Sequence, residues 1–258
     1  MSNLRISHYN ILKGGAQKEK YILKVVSEIN PDICGFLEVV GTKKRIQYIK
    51  KIISDAGYDY FFLAKANSKY NIAVFSKIPI KTRTIKKGIR HSIAQVEIKD
   101  GPFKNMNIFF LHLTPAGEDE RLKETRILKK HLPKSDNFLI MGDFNSLSNR
   151  DPYDRVKLIR KFKKNKIVKY GAEKLRFDVI KTLEKNNLID VSSFLKKKFT
   201  FTTPTPSNTD KSHAAKIRID YAFTTKKLIK NIQNIQVSKG EMADKASDHY
   251  PLTVQLHK

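Results

Sequence analysis

The sequence predicts an α/β protein in which two β-sheets pack face to face with helices outside. Two observations lead there. Apolar runs of strand length outnumber helical patterns along the 258 residues, although amphipathic helices separate several of them. The order strand, loop, helix also recurs in both halves, without a sequence repeat strong enough to define two units. The length and this continuity favour a single domain over residues 1–258.

Residues 1–10 read as an entering strand, with Leu4 and Ile6 leading into His8-Tyr9-Asn10. After Gly14-Gly15, the spacing of Ile22, Leu23, Val26 and Ile29 marks a helix that Asn30-Pro31 stops. Residues 33–37 form a buried strand that ends, against the apolar pattern, at Glu38. Ile46, Ile49, Ile52 and Ile53 suggest the next helix, followed by strand-like runs at 58–63, 72–75, 93–98 and 106–113. Residues 118–132 alternate apolar and charged faces as an amphipathic helix does, then 138–141 form another buried strand ending at Gly142-Asp143. A basic stretch at 155–169 precedes a helix at 179–185 and a Thr/Pro/Ser-rich loop at 200–209. Ile217, Ile219 and Tyr221 alternate with Arg218 and Asp220, and 232–237 and 252–256 complete the strands.

Fifty-one Lys and Arg against 25 Asp and Glu leave a formal charge of +26. That excess is self-repulsive, and a polyanionic partner rationalises it; nucleic acid is the first candidate, an anionic lipid surface the second, and a lysine-rich coding bias the bland one. Cys34 is the only cysteine, which rules out an intramolecular disulfide and favours a reducing compartment. The first ten residues lack an apolar signal core, and no run approaches the roughly 18 apolar residues of a membrane span. The expectation is a cytoplasmic monomer without stable membrane insertion.

Polar residues recur where apolar strands end: Asn10, Glu38, His112, Asp143, Asn145, Asp220, Asp248 and His249. Singly, each has an ordinary reading as a turn or cap residue. Together they are hard oxygen donors with two imidazoles, the set that phosphate chemistry with a hard divalent cation needs. Glu38 offers a charged ligand for Mg²⁺ or Mn²⁺, and the neutral Asn10 and Asn145 orient water or phosphate without repelling an anion. A histidine near neutral pH trades protons with water or a leaving oxygen.

The strings YNIL at 9–12, FLEV at 36–39, LHL at 111–113, GDFN at 142–145, RIDY at 218–221 and SDH at 247–249, in this order, resemble the endonuclease/exonuclease/phosphatase superfamily. The resemblance covers nearly the whole chain. It implies a four-layer α/β-sandwich, two mostly antiparallel central sheets between outer helices, with the site at one sheet edge. It implies Glu38 as principal metal ligand with Asn10 beside it and Asp248 completing that environment. His249, oriented by an aspartate, becomes the general base on water. Asp143 and Asn145 position that water and the scissile phosphate or hold a second metal, while Asp220 and His112 contact the phosphate and help the leaving oxygen. Leu37 stands where the exonuclease III branch carries glutamine, and tryptophan is absent, which argues against abasic-site specificity.

The resemblance implies a phosphoester hydrolase, with a nuclease acting on DNA or RNA as the leading reading. A phosphatase or phospholipase-type enzyme on a small or lipid phosphoester is the alternative, and a catalytically silent nucleic-acid-binding protein the third. Arg155, Lys157, Arg160, Lys161, Lys163 and Lys164 follow GDFN closely, so they are placed either on a phosphate backbone or on a solvated helix face. Arg218 either neutralises phosphate or pairs with a carboxylate. Tyr153, Phe162 and Tyr170 stack on bases or pack inward, and His213 lies in a loop expected to border the cleft. His8, His91, His131 and His257 carry no motif and are read as ordinary residues.

Overall fold

The computed structural model describes residues 3–258; Met1 and Ser2, the start of the expected first strand, and the side chains of Arg45 and Ile52 lie outside the described set. The expected layering is observed. One sheet holds β1 (Asn3–Asn10), β2 (Ile33–Val39), β3 (Tyr60–Ala64), β4 (Asn71–Ser76), β11 (Ile232–Val237) and β12 (Leu252–His257), in the order β11-β12-β1-β2-β4-β3. The other holds β5 (Ile80–Ile85), β6 (Ile93–Ile98), β7 (Asn107–His112), β8 (Phe138–Asp143), β9 (Ile189–Asp190) and β10 (Asp220–Thr224), in the order β5-β6-β7-β8-β10-β9. Pairing is antiparallel except for β1 with β2 and β7 with β8.

Those two parallel pairs each need a crossover, and amphipathic helices supply it: α1 (Glu19–Ile29) after β1 and α3 (Glu118–His131) after β7. Ile22, Val25 and Val26 of α1 join α2 (Lys43–Asp55) and α7 (Glu241–Ala246) over the outer face of the first sheet. Leu128 of α3 and Val179, Ile180 and Leu183 of α5 (Asp178–Lys185) cover the outer face of the second. Between the sheets lies the main core, built from inward positions such as Ile6, Leu37, Val74, Val96, Phe110, Met141 and Val254.

Several elements go beyond the sequence reading. Strand β5, the short α6 (Val191–Phe194), β9 and α7 have no counterpart among the expected elements, and the basic stretch proves to be a helix, α4 (Arg155–Lys164), capped by the Asp154 carboxylate on the Lys157 N–H. The strand expected from Ile217 starts instead at Asp220, because Ile217 bridges to Thr203 in the preceding loop.

Gly35 faces inward on β2, where an added Cβ would lie 2.4 Å from the Phe110 ring. The ring leaves no room for a methyl group there. Gly35→Ala is therefore expected to destabilise the fold by about 2 kcal/mol through overpacking, with Gly35→Ala/Phe110→Leu recovering part of the loss in thermal melts. A single variant that melts with the parent would show that the ring has room to move.

Candidate active site

The site is the polar end of the inter-sheet core. Along β1 the inward residues run Leu4, Ile6 and then His8 and Asn10; β7, β8 and β10 bring His112, Asp143 and Asp220 to the same end. Register fixes three of these side by side, with Asp143 paired to His112 across the parallel ladder and to Asp220 across the antiparallel one. Because β1–β2 and β7–β8 both run parallel, four strand ends reach one edge.

Glu38 arrives by a local distortion. Between Phe36 and Val39 the β2–β4 register shifts by one residue, and Glu38 adopts φ 61°, an uncommon left-handed conformation for a side chain of this size. The bulge turns its carboxylate onto the edge. There Oε1 accepts from Asn10 Nδ2 at 3.2 Å and Oε2 from the Lys13 N–H at 3.0 Å. Asn10 Nδ2 also approaches Asp143 Oδ2 at 3.3 Å, so one amide nitrogen joins two carboxylates. Asn10 Oδ1 accepts from the Leu12 N–H at 3.1 Å and keeps a second lone pair.

His112 faces the same oxygens, its Nε2 lying 3.6 Å from Asp143 and 3.9 Å from Glu38. Behind it, the His91 ring stacks at 4.5 Å and 13° and hydrogen-bonds Ser68 Oγ through Nδ1. Burial, with His112 and Arg90 adding to it, pushes His91 down to about 3, so this supporting ring is neutral. His91 thus acts as the platform that fixes His112. The convergence of anionic oxygens at the Glu38–Asp143 edge fits a hard divalent cation, which would offset their mutual repulsion.

His249 donates from Nδ1 to Asp220 Oδ2 at 2.8 Å, leaving Nε2 directed toward Asp143 at 3.8 Å. Burial alone lowers an imidazole, but the Asp220 charge and hydrogen bond, with Asp248 and Asp143 behind them, raise His249 to about 10. Asp220 in turn is buried, yet His249 and His8 hold it well below the usual carboxylate range. Its second oxygen accepts from His8 Nε2 at 3.2 Å. Asp220 is therefore the anchor behind two imidazoles, which corrects its expected contact with phosphate. No motif marks His8, but alternation from Asn10 puts it on the same inward face.

Asp248 is held by a histidine of the preceding loop. Its carboxylate accepts from His213 Nδ1 at 3.1 Å, while Asn10, Lys13 and His112 surround Glu38. The 200–213 loop does border the site, held by Thr203 Oγ1 on the Asp248 carbonyl at 2.8 Å. Asn145, at φ 49°, donates to the Leu113 carbonyl at 3.0 Å and accepts from Lys169 Nζ at 3.2 Å. Lys169 ends the basic stretch, and nothing in the sequence sets it apart from the other lysines there.

Arg218 stands apart from this cluster. Its guanidinium pairs with Asp190 at 2.7 Å and Asp151 at 2.9 Å and is buried, so the expected phosphate contact is corrected to a structural ion-pair triad. Tyr153, Phe162 and Tyr170 pack inward around α4, with Phe162 stacked on Tyr170 at 5.0 Å. The basic side chains of α4 remain exposed: Lys157 and Lys163 pair with Asp154 and Glu173, and Arg155 reaches the Asn149 carbonyl.

With this geometry in hand, comparison with known proteins is direct. The Endonuclease/Exonuclease/phosphatase family profile matches residues 7–249. No curated protein sequence matches the chain. Among solved structures, an AP endonuclease from Archaeoglobus fulgidus aligns over 97% of this chain and 98% of its own, with TM-score 0.71 and 14% identity. The 3′ phosphatase NExo from Neisseria, bound to product DNA hairpin, aligns over 99% and 100% with TM-score 0.73 and 12% identity. D. rerio TDP2, complexed with single-strand DNA product, aligns over 100% of both chains with TM-score 0.65 and 17% identity. These likenesses are of fold, and the match that spans the motifs from β1 to His249 is the family's own: the chain belongs to the endonuclease/exonuclease/phosphatase family.

Proposed function

We propose that this chain is a divalent-cation-dependent phosphodiesterase that cleaves nucleic acid by in-line attack of water. The observation that carries the reading is the convergence of Glu38, Asp143, His112 and His249 at one sheet edge, like charges gathered with imidazoles. Mg²⁺ or Mn²⁺ held chiefly by Glu38, with Asp143 opposite, would polarise the phosphate and offset the Asp143 charge, the smallest of the influences that raise His249. The neutral form of His249, the minor form below about pH 10, would accept the proton of the attacking water at Nε2, with Asp220 holding Nδ1–H. Asn145 orients the phosphate from one side and His112 donates toward the leaving oxygen from the other.

Two observations favour a polymer substrate over a small phosphoester. The charge of +26 is far beyond what one phosphate requires, and the basic face of α4 is exposed and follows the GDFN loop. Three of its side chains, Arg160, Lys161 and Lys164, form no ion pair among the described residues and remain available for a phosphate backbone. The Neisseria and D. rerio structures were obtained with DNA, which accords with this reading.

Glu38→Gln and His249→Ala are each expected to lower kcat by about 10²–10³ or more on the preferred substrate among plasmid, single-stranded DNA, RNA, nucleotides and phospholipid vesicles, with EDTA abolishing the parent's activity. Near-parental rates would remove the assignment, and exclusive activity on vesicles or nucleotides would move it to the lipid or small-phosphoester class. Replacing Arg160, Lys161 and Lys164 together by Gln should flatten the salt dependence of DNA binding by up to about 0.9 in log–log slope for each phosphate no longer neutralised; an unchanged slope would return α4 to a solvated face.

The His249–Asp220 pair also sets a pH window. A raised imidazole stabilises the fold fully below its ordinary value of 6.5, and that contribution is lost as pH rises through about 10. A depressed carboxylate stabilises above its ordinary 3.8, and that contribution is lost as pH falls. The stability gap between the parent and Asp220→Asn should therefore be widest between these limits and narrow toward pH 10 in denaturant titrations. In the variant, the His249 resonance should titrate nearer the usual imidazole range; unchanged titration would show that Asp220 does not govern the ring.

A further inference from the structure

Lys169 is a buried amine with no carboxylate at ion-pair distance among the described residues: burial lowers it, and Asp143, Asp210 and Asp248 support its charge only from farther away. The residue is 8% exposed, and its ammonium contacts Asn145 Oδ1 at 3.2 Å, Ser212 Oγ at 3.2 Å and His213 Nε2 at 3.4 Å, with the Tyr170 ring 5.0 Å away. None of these partners is a carboxylate: burial lowers His213 below its ordinary value, and its Nδ1 pairs with Asp248. Among the described residues no carboxylate forms an ion pair with it. A charge taken out of water this far normally brings its counter-ion along.

The surroundings are built to hold it there. Arg121, fully buried, donates to the Lys169 carbonyl, to Ser146 Oγ at 2.9 Å and to Glu118 at 2.9 Å. This ties the segment carrying Lys169 to the loop that carries Asn145 and to α3. The ammonium is thereby aimed at the one residue, Asn145, assigned to orienting phosphate.

A second feature lies against it. His213, Asp248 and His249 bring potential metal-ligand atoms within 4.8 Å of one another, beside the Glu38–Asp143 edge. Yet the lone pair of His213 Nε2 faces the Lys169 ammonium, and its Nδ1 carries the proton shared with Asp248. A divalent ion entering this triad would meet a fixed positive charge.

We propose that Lys169 is a phosphate-binding residue whose ammonium serves as the site's second cation, contacting a non-bridging oxygen of the scissile phosphate opposite Glu38. This rests on the phosphoester reading above. The direct ion-pair partner that Lys169 lacks is then supplied by the substrate, and the His213–Asp248–His249 triad needs no metal of its own. Stabilisation of charge on the phosphoryl oxygens comes from a group that cannot dissociate.

The test uses the full chain and two readouts that do not require turnover. Binding of inorganic phosphate is measured by calorimetry on the parent, on Lys169→Met and on Lys169→Gln, with circular dichroism confirming the fold of each. The expected result is a Kd for phosphate at least about tenfold higher in both variants, since a charge-assisted contact is replaced by none. Calorimetry with Mn²⁺ on the parent is expected to give one ion per chain. On the substrate the parent prefers, the variants should lose about 10²–10³ in kcat, with small alkylammonium ions restoring part of it in Lys169→Gly. Unchanged phosphate affinity in a folded variant, or two Mn²⁺ per parent chain, would overturn the proposal. A parent that cleaves no phosphoester would refute the hydrolase reading instead, leaving the phosphate and Mn²⁺ measurements to judge Lys169.

Discussion

Everything at the site depends on holding Glu38 and Asp143 together at the mouth of an otherwise apolar core. Two anionic oxygens that close repel strongly in a low dielectric, and the chain opposes this by fixed geometry. Asn10 donates to both carboxylates, the bulge in β2 commits Glu38 to one direction, and hydrogen-bonded register commits Asp143 to another. None of these restraints is local in sequence. The edge exists because two parallel strand pairs, each closed by its own helix, deliver their ends to the same place.

Behind that edge lies a set of paired groups that leaves few buried polar atoms idle. His8 and His249 share Asp220, His213 occupies Asp248, and Arg121 fastens three segments through Glu118, Ser146 and the Lys169 carbonyl. Such satisfied networks specify one arrangement, because any alternative strands a charge or donor away from water. Among the described residues seven buried side-chain atoms lack partners; three are on His8, His91 and His112 at or behind the site, and the others, on Tyr9, Gln95, Asn149 and Tyr170, are not confined to the Glu38–Asp143 edge.

The fold class is legible because strand-length apolar runs alternate with amphipathic helices and because six motifs follow one another in order. What stays hidden does so for physical reasons. Strand β5 reads Ile-Lys-Thr-Arg-Thr-Ile, and as the edge strand of its sheet it tolerates a polar pattern that looks like a loop. Arg218 sits inside a motif, but its partners Asp151 and Asp190 lie 67 and 28 residues away, and only the folded chain reveals them. His91 and Lys169 are buried by tertiary contacts alone, with no periodicity to mark them. His8 is within reach of sequence reasoning, since period-two alternation puts it beside Asn10; the signal is there even though the motif is not.

The bulge that carries Glu38 has a consequence for traffic. The Glu38 side chain is 15% exposed, whereas those of Asp143, Asp220 and Asp248 are at 2%, 0% and 2%. Under the cation-dependent reading proposed above, a hydrated ion coming from solvent would meet Glu38 before the more buried acids. If the substrate is a polymer, as proposed, a strand lying across that rim would cover the same opening. On that reading the order of arrival, small ion before long strand, would follow from which carboxylate the backbone pushes outward.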